Sequence, residues 1–157
     1  MGQTDEEAFR ALVQRHRDLI WSVCSSYRLS AAWEVEDAFH EVLCDLWLDF
    51  RKFRGNSSER TWVFRVATNT MISLKRRISN QPTPEAPPVD RAAPSNENYQ
   101  YLLQLIDSLD EPDGRIVRAH WYGFGYSEIA RMTGLSVAAV SMRLTRAKRR
   151  IKKMYEN

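Results

Sequence analysis

Cysteine is scarce in this 157-residue chain, which has only Cys24 and Cys44. Two thiols cannot make the dense disulfide framework of a small secreted domain, and each is expected as a free, small hydrophobe inside an apolar helical stripe. Neither a Cys-x-x-Cys nor a His-Glu-x-x-His pattern occurs. His40 and Cys44 stand four apart on one expected helix, but with His16 and His120 they make no recognisable ligand set. No metal, cofactor or catalytic residue is therefore expected, and a metal-dependent enzyme is the weaker reading. Long apolar runs are also missing: nothing approaches the roughly 18 residues of a membrane span, so no membrane insertion is expected. The acidic start, Met1 to Glu7, lacks the basic-then-apolar order of a secretory leader. A cytoplasmic location follows as the expectation.

Charge of one sign is absent over long stretches. Between residues 31 and 50 there is no Lys or Arg, whereas Glu34, Glu36, Asp37, Glu41, Asp45 and Asp49 supply six carboxylates. From residue 51 to 77 the sign reverses, with Arg51, Lys52, Arg54, Arg60, Arg65, Lys75, Arg76 and Arg77 against the single acid Glu59. From residue 137 to 155 there is no acid at all. The net charge of +3 says little by itself; its segregation implies one face for a basic partner and others for a polyanion.

Apolar spacing supplies the elements. Phe9, Leu12, Val13, Ile20, Val23, Cys24 and Tyr27 recur at three- and four-residue steps and predict a helix over 9–27. Val35, Ala38, Phe39, Val42, Leu43, Leu46, Trp47 and Phe50 predict a second over 34–50 with an acidic outer face. After the turn-like Gly55-Asn56-Ser57-Ser58, a third is expected over 59–78, with Val63, Val66, Ala67, Thr70 and Leu74 inward. Residues 79–98 hold Pro82, Pro84, Pro87, Pro88 and Pro94. Prolines at that density remove amide donors and clash with a helical turn, so this stretch reads as a tether. The expected fold is all-α: a helical bundle over 1–78, a Pro-rich linker over 79–98, and a second helical domain over 99–157.

In that second domain Leu102, Leu105, Ile106 and Leu109 form one stripe, and Ile116, Val117 and His120 another, with Pro112 suited to a first helical turn. The segment Gly125 to Val140 has the spacing of a helix-turn-helix. Ala130 is small enough for a close crossing, Gly134 suits the turn, and Val140 with Ile129 and Leu144 fills the inner angle. Ser136 suits the N-cap of the second helix. That helix carries Arg143, Arg146, Lys148, Arg149, Arg150, Lys152 and Lys153. A charge run is commonly only a solvated face, but on a recognition helix it implies DNA. Val137, Ala138, Ser141, Met142, Thr145 and Arg146 point away from the packed side, with Arg143 and Arg146 best suited to guanine.

Taken together the chain resembles the sigma-70 family of bacterial RNA polymerase initiation factors, in the short extracytoplasmic-function group. Phe9-Arg10-Ala11-Leu12-Val13-Gln14-Arg15-His16, Glu36-Asp37-Ala38-Phe39-His40-Glu41-Val42, Phe53-Arg54-Gly55-Asn56-Ser57-Ser58, Thr61-Trp62 and Ala67-Thr68-Asn69 resemble the family's second region. Tyr126-Ser127-Glu128-Ile129-Ala130 through Arg143-Leu144-Thr145-Arg146-Ala147 resembles its fourth. The resemblance implies that Asp37, His40 and Glu41, with Asp45 on the same acidic helix, dock on the clamp helices of the polymerase largest subunit, and that the flap of the second-largest subunit is a further partner. It also implies that the Phe53–Ser58 loop, with Thr61, Trp62 and Asn69, captures a flipped base of the minus 10 element. Phe53 or Trp62 would be the stacking wall, Asn56, Ser57 and Asn69 polar partners, and Arg54, Arg65, Arg76 and Arg77 the cations; Trp62 reads equally as core packing. The minus 35 element would fall to Ser136, Val137, Ala138, Ser141, Met142, Arg143, Thr145, Arg146, Arg149 and Arg150. An anti-sigma protein is implied as a regulator. The chain departs from the family pattern with His40 for a usual glutamine, Gly125 for a common serine or threonine, and Ser73 for a common aspartate. A stand-alone DNA-binding regulator is the nearer rival, distinguished by its not needing polymerase.

Overall fold

In the computed structural model the described residues are 2–27, 29, 33–53, 55, 57–79 and 97–156, and all regular structure among them is helical. The order is α1 Gly2–Ser26, α2 Val35–Phe50, α3 Glu59–Ser79, α4 Glu97–Asp107, α5 Asp113–Trp121, α6 Tyr126–Thr133 and α7 Val137–Glu156. The chain divides into two compact units, Met1–Asp90 and Arg91–Asn157. Most of the expected tether, residues 80–96, lies outside the described residues.

The first unit is a three-helix bundle in which every helix packs on the other two. α1 begins seven residues before the apolar pattern does. Its first turn is polar and includes Asp5, where a carboxylate meets the positive end of the helix dipole; that carboxylate also lies 3.4 Å from Arg51. Leu12, Ile20, Val23 and Cys24 of α1 are buried, as is Tyr27 just beyond it. On α2 the stripe is narrower than its sequence implies. Ala38, Val42 and Leu46 are buried at four-residue steps, Phe39, Leu43 and Phe50 flank them half-buried, and Trp47 is 39% exposed. Cys44 is corrected outright: it is an exposed thiol, not a stripe residue, because it falls two positions from each of Val42 and Leu46 and so on the opposite side of the helix. α3 buries Val63, Phe64, Val66, Ala67, Met71 and Leu74, together with Thr61, Thr68 and Thr70. A helix clamped by two neighbours needs a wider apolar arc than a single stripe. The buried threonines are satisfied locally, Thr68 donating to the Phe64 carbonyl at 2.9 Å.

The second unit places α7 against α4, α5 and α6. Its core is Leu105, Ile106, Leu109, Ile116, Val117, Ala119, Phe124, Ile129, Met132, Val140, Leu144 and Ala147. Within it lies an ion pair: Arg118 donates to Asp107 at 3.1 Å, the side chains being only 3% and 10% exposed. Pro112 is the N-cap of α5, not a first-turn residue; Asp113 takes the first position.

Candidate nucleic-acid and partner interfaces

The helix-turn-helix is built by local chemistry. Gly125 is extended (φ −74°, ψ 161°) before α6, and its N–H approaches Glu128 Oε1 at 3.5 Å. A glycine has no side chain to return that bond, so this is half of a capping box. α6 ends at Gly134, which takes the left-handed φ of 73° and donates to the Ala130 carbonyl; a residue with a Cβ is strained there. Two residues later Ser136 Oγ accepts the Ala139 N–H at 3.1 Å and starts α7. Val140, Leu144 and Ala147 face inward, leaving Ser136, Val137, Ala138, Met142, Thr145, Arg146, Arg149 and Arg150 exposed and Ser141 half-buried. Thr145 spends its hydroxyl on the Ser141 carbonyl at 2.9 Å. Arg143 is drawn back to Asp113 of α5 at 3.1 Å, so it joins the reading face already paired.

In the first unit, Phe53 and Trp62 stack on one another with centroids 4.9 Å apart and planes at 27°. The two side chains that the sequence offers as alternative walls thus lie against one another. They border a cavity of about 330 Å3 lined also by Asp49, Lys52, Ser57, Arg65, Val66 and Asn69. Of the residues expected around a captured base, Phe53, Ser57, Trp62, Arg65 and Asn69 are thus brought together. Thr61 is not among the lining residues. It is buried in the first turn of α3, its hydroxyl accepting from the Ser58 hydroxyl at 2.7 Å while its N–H donates to Ser58 Oγ at 3.1 Å, so Ser58 caps the helix. Arg76 and Arg77 sit in the last turn of α3. Arg54 and Asn56 lie outside the described residues. Sequence reasoning missed Asp49, Lys52 and Val66, which line the same cavity from the end of α2, the turn after it and α3; Gly55, between the two helices, has a positive φ of 72°. The base of this loop is tied to α1: Glu59 Oε1 accepts from Arg15 Nη2 at 2.8 Å and lies 2.8 Å from His16 Nε2. Burial alone would raise the Glu59 carboxyl, but these hydrogen bonds and the charges of both partners outweigh it and hold it below its ordinary value.

Along α2, Asp37 and His40 are exposed and Glu41 half-buried. Asp37 Oδ2 accepts the Glu34 N–H at 3.1 Å, closing the first turn. Asp45 accepts the Thr70 hydroxyl at 2.6 Å and is thereby committed to α3. The face also carries apolar groups that charge patterning could not show: Leu48 is 70% exposed, and Trp21 and Phe39 lie 5.7 Å apart beside His40.

A fourth feature is an open apolar groove of about 570 Å3 in the second unit, where Tyr99, Leu102 and Ile106 of α4, Trp121 of α5, and Ile151 and Tyr155 of α7 meet. Lys148 and Lys152 line it too, so part of the basic stripe turns away from the reading face. His120 also borders it, its imidazole held below its ordinary pKa by burial and by the charge of Lys148. Among the described residues no cluster of His, Cys, Asp and Glu is suited to a metal ion, and no helix is long and apolar enough to cross a membrane.

A helix-turn-helix with an exposed basic second helix, joined in one chain to a bundle with an aromatic-walled cavity and an acidic helix, is the architecture of a helical DNA-binding protein. The Sigma-70 region 2 model matches residues 12–81 and the Sigma-70, region 4 model residues 99–151. The RNA polymerase sigma factor NccH of Alcaligenes xylosoxydans xylosoxydans is 24% identical over 164 residues, covering 96% of this chain and 88% of that protein. The ECF RNA polymerase sigma-E factor of Escherichia coli (strain K12) is 29% identical over 167 residues, covering 94% and 86%. Among solved structures, CnrH in complex with the cytosolic domain of CnrY matches with a TM-score of 0.72 at 24% identity, covering 96% of this chain and 89% of that one. The sigma factor RpoE in complex with the anti-sigma factor NepR from Bartonella quintana matches at 0.74 and 17% identity, covering 96% and 98%. The chain belongs to the sigma-70 family, in its extracytoplasmic-function group. It is a sigma factor, directing promoter-specific transcription initiation with RNA polymerase. Sigma factors are non-enzymatic regulators, and recognition of minus 10 and minus 35 elements is typical of them.

Proposed function

We propose that the two units divide the promoter between them: residues 1–78 hold polymerase and open the minus 10 element, residues 99–157 read minus 35, and 79–98 join them. The observation that carries this is the cavity between Asp49 and Asn69, walled by the Phe53–Trp62 stack. An unstacked base gains about 1–3 kcal/mol from an aromatic platform, and Lys52 and Arg65 supply cations for its phosphates. Phe53, Ser57, Trp62, Arg65 and Asn69 are the contact residues, with Arg54 and Asn56 of the same loop; Thr61 acts by holding the Ser58 cap of α3, and Arg76 and Arg77 meet backbone further along. At minus 35, Val137, Ala138, Ser141 and Met142 meet base edges while Arg146, Arg149 and Arg150 meet guanine or phosphate.

Asp37, His40 and Glu41 form the polymerase face, with Leu48 as its apolar contact and Asp45 as a support through Thr70. The groove lined by Tyr99, Trp121 and Tyr155 takes an apolar helix of the polymerase flap. The two matched structures were each solved as complexes, one with an anti-sigma factor, and on this reading an anti-sigma protein holds this chain inactive over the same surfaces. The chain carries out no chemistry of its own and works in the cytoplasm. Reconstitution with core polymerase, followed by selection of promoter sequences, tests the whole: the expected result is run-off transcription only when both are present. Transcription-independent, tight operator binding by the chain alone would favour a stand-alone regulator. Reversing Asp37 and Glu41 to lysine is expected to abolish holoenzyme formation with the helical signal intact; unchanged binding would remove the assignment of that face.

A further inference from the structure

The cavity beside the Phe53–Trp62 stack contains a group whose chemistry selects among bases. Asp49 is the last carboxylate of α2 and lines the cavity. An ionised carboxylate only accepts hydrogen bonds. Among the described residues its ionic neighbour is Lys52 at 3.8 Å, the lysine 81% and the aspartate 48% exposed, a pair of the exposed kind that contributes little. The carboxylate thus remains open to a ligand. Asn69, across the cavity on α3, has both a donor and an acceptor and favours no base over another by itself. The asymmetry of the site lies in Asp49.

We infer that Asp49 is a specificity-determining residue, and that the cavity takes a base bearing an exocyclic amino group (adenine, cytosine or guanine) and rejects thymine. This rests on the base-capture reading above. An amino group presents its N–H to Asp49, as cytosine N4 does to an acidic side chain in a groove. Thymine instead flanks its single ring N–H with two carbonyl oxygens, so any approach of its edge sets a carbonyl against the carboxylate and leaves a desolvated acceptor unmatched.

The test uses holoenzyme reconstituted from core polymerase and a forked promoter chosen from a random pool. An abasic site is first walked along the exposed non-template strand. One position at which its introduction collapses binding identifies the captured base. If no position responds, the capture reading itself falls, and the inference with it. At the responding position each base is then installed, together with an analogue of the preferred base lacking only its amino group. Thymine and the analogue are expected to bind about tenfold more weakly than the preferred base, the discrimination of one good edge contact. Asp49→Asn offers a donor as well as an acceptor and is expected to erase the penalty on thymine while holoenzyme formation is unchanged. A responding position at which wild-type protein binds thymine as well as the other bases would overturn the inference and leave capture standing. So would an Asp49→Asn holoenzyme with the original preference intact. The analogue is read on wild-type protein, so the result does not depend on the variant folding.

Discussion

Asp107→Ala tests whether the second unit is organised around its interior charge pair. Arg118 is 3% exposed and reaches Asp107, itself 10% exposed, at 3.1 Å. Removing one partner of a buried ion pair costs about 3–5 kcal/mol, whereas exchanging both for apolar residues of similar volume is often neutral. A unit of some sixty residues has roughly 3–9 kcal/mol of stability in all, so the single variant removes most of it. Because the chain has two units, a single melting curve is not two-state, and amide hydrogen exchange resolved by helix is the appropriate assay. Exchange in α4, α5 and α7 is expected to accelerate by roughly two to three and a half orders of magnitude, each 1.4 kcal/mol being about tenfold, with α1–α3, which carry neither partner, as the internal reference. Asp107→Leu with Arg118→Met is expected to restore most of the protection. An acceleration below about tenfold in the single variant, or a double variant worse than the single, would refute the reasoning.

Gly134→Ala meets no neighbour within 4 Å but forces an L side chain to φ 73°; a cost of about 1–2 kcal/mol in thermal unfolding of the second unit is expected, with Gly134→Asn costing less. Thiol titration at pH 8 is expected to label Cys44 rapidly and Cys24 only after denaturation, because Cys44 is exposed while burial pushes the Cys24 thiol up to about 12; two equally fast thiols would contradict the packing. The Glu59 carboxyl sits below its ordinary value of 4.5 in the folded chain, so its contribution to stability is complete above that pH and is lost as pH falls through the lower folded value. Glu59→Gln is expected to flatten that acid limb in unfolding curves taken from pH 5 downward, and an unchanged limb would assign it to other carboxylates.

The helix-turn-helix was the most legible part of the sequence because its determinants are local: a positive-φ glycine, a serine cap three residues before the amide it accepts from, and a four-residue apolar step from Val140 to Leu144. The three-helix pattern of the first unit was legible for a similar reason, although polar residues hid the first turns of α1 and the burial of Phe64 and Met71 needed two neighbours instead of one. The cavity was only half visible. Phe53, Trp62 and Asn69 stand out by type, but Asp49 belongs by spacing to the acidic helix, and nothing in spacing shows that the end of α2 and the side of α3 line one cavity. The apolar groove was invisible for the same reason, being shared by helices some fifty residues apart in sequence, with Tyr99 and Tyr155 at its two chain ends.

The pairing of Arg143 with Asp113 changes what salt will report about this recognition helix. A cation that meets a phosphate releases its share of condensed counterions, and each such contact adds about 0.9 to the slope of log affinity against log salt. Arg143 is already neutralised, and if it transfers to DNA it leaves behind a carboxylate that recruits a cation of its own. Its ionic ledger is then close to even. If Arg146, Arg149 and Arg150, exposed on the same helix, meet phosphate as proposed, they add to the slope, while Arg143 would add to affinity without adding to it. On that reading, a count of phosphate contacts drawn from salt dependence comes out one short of the arginines that touch the duplex.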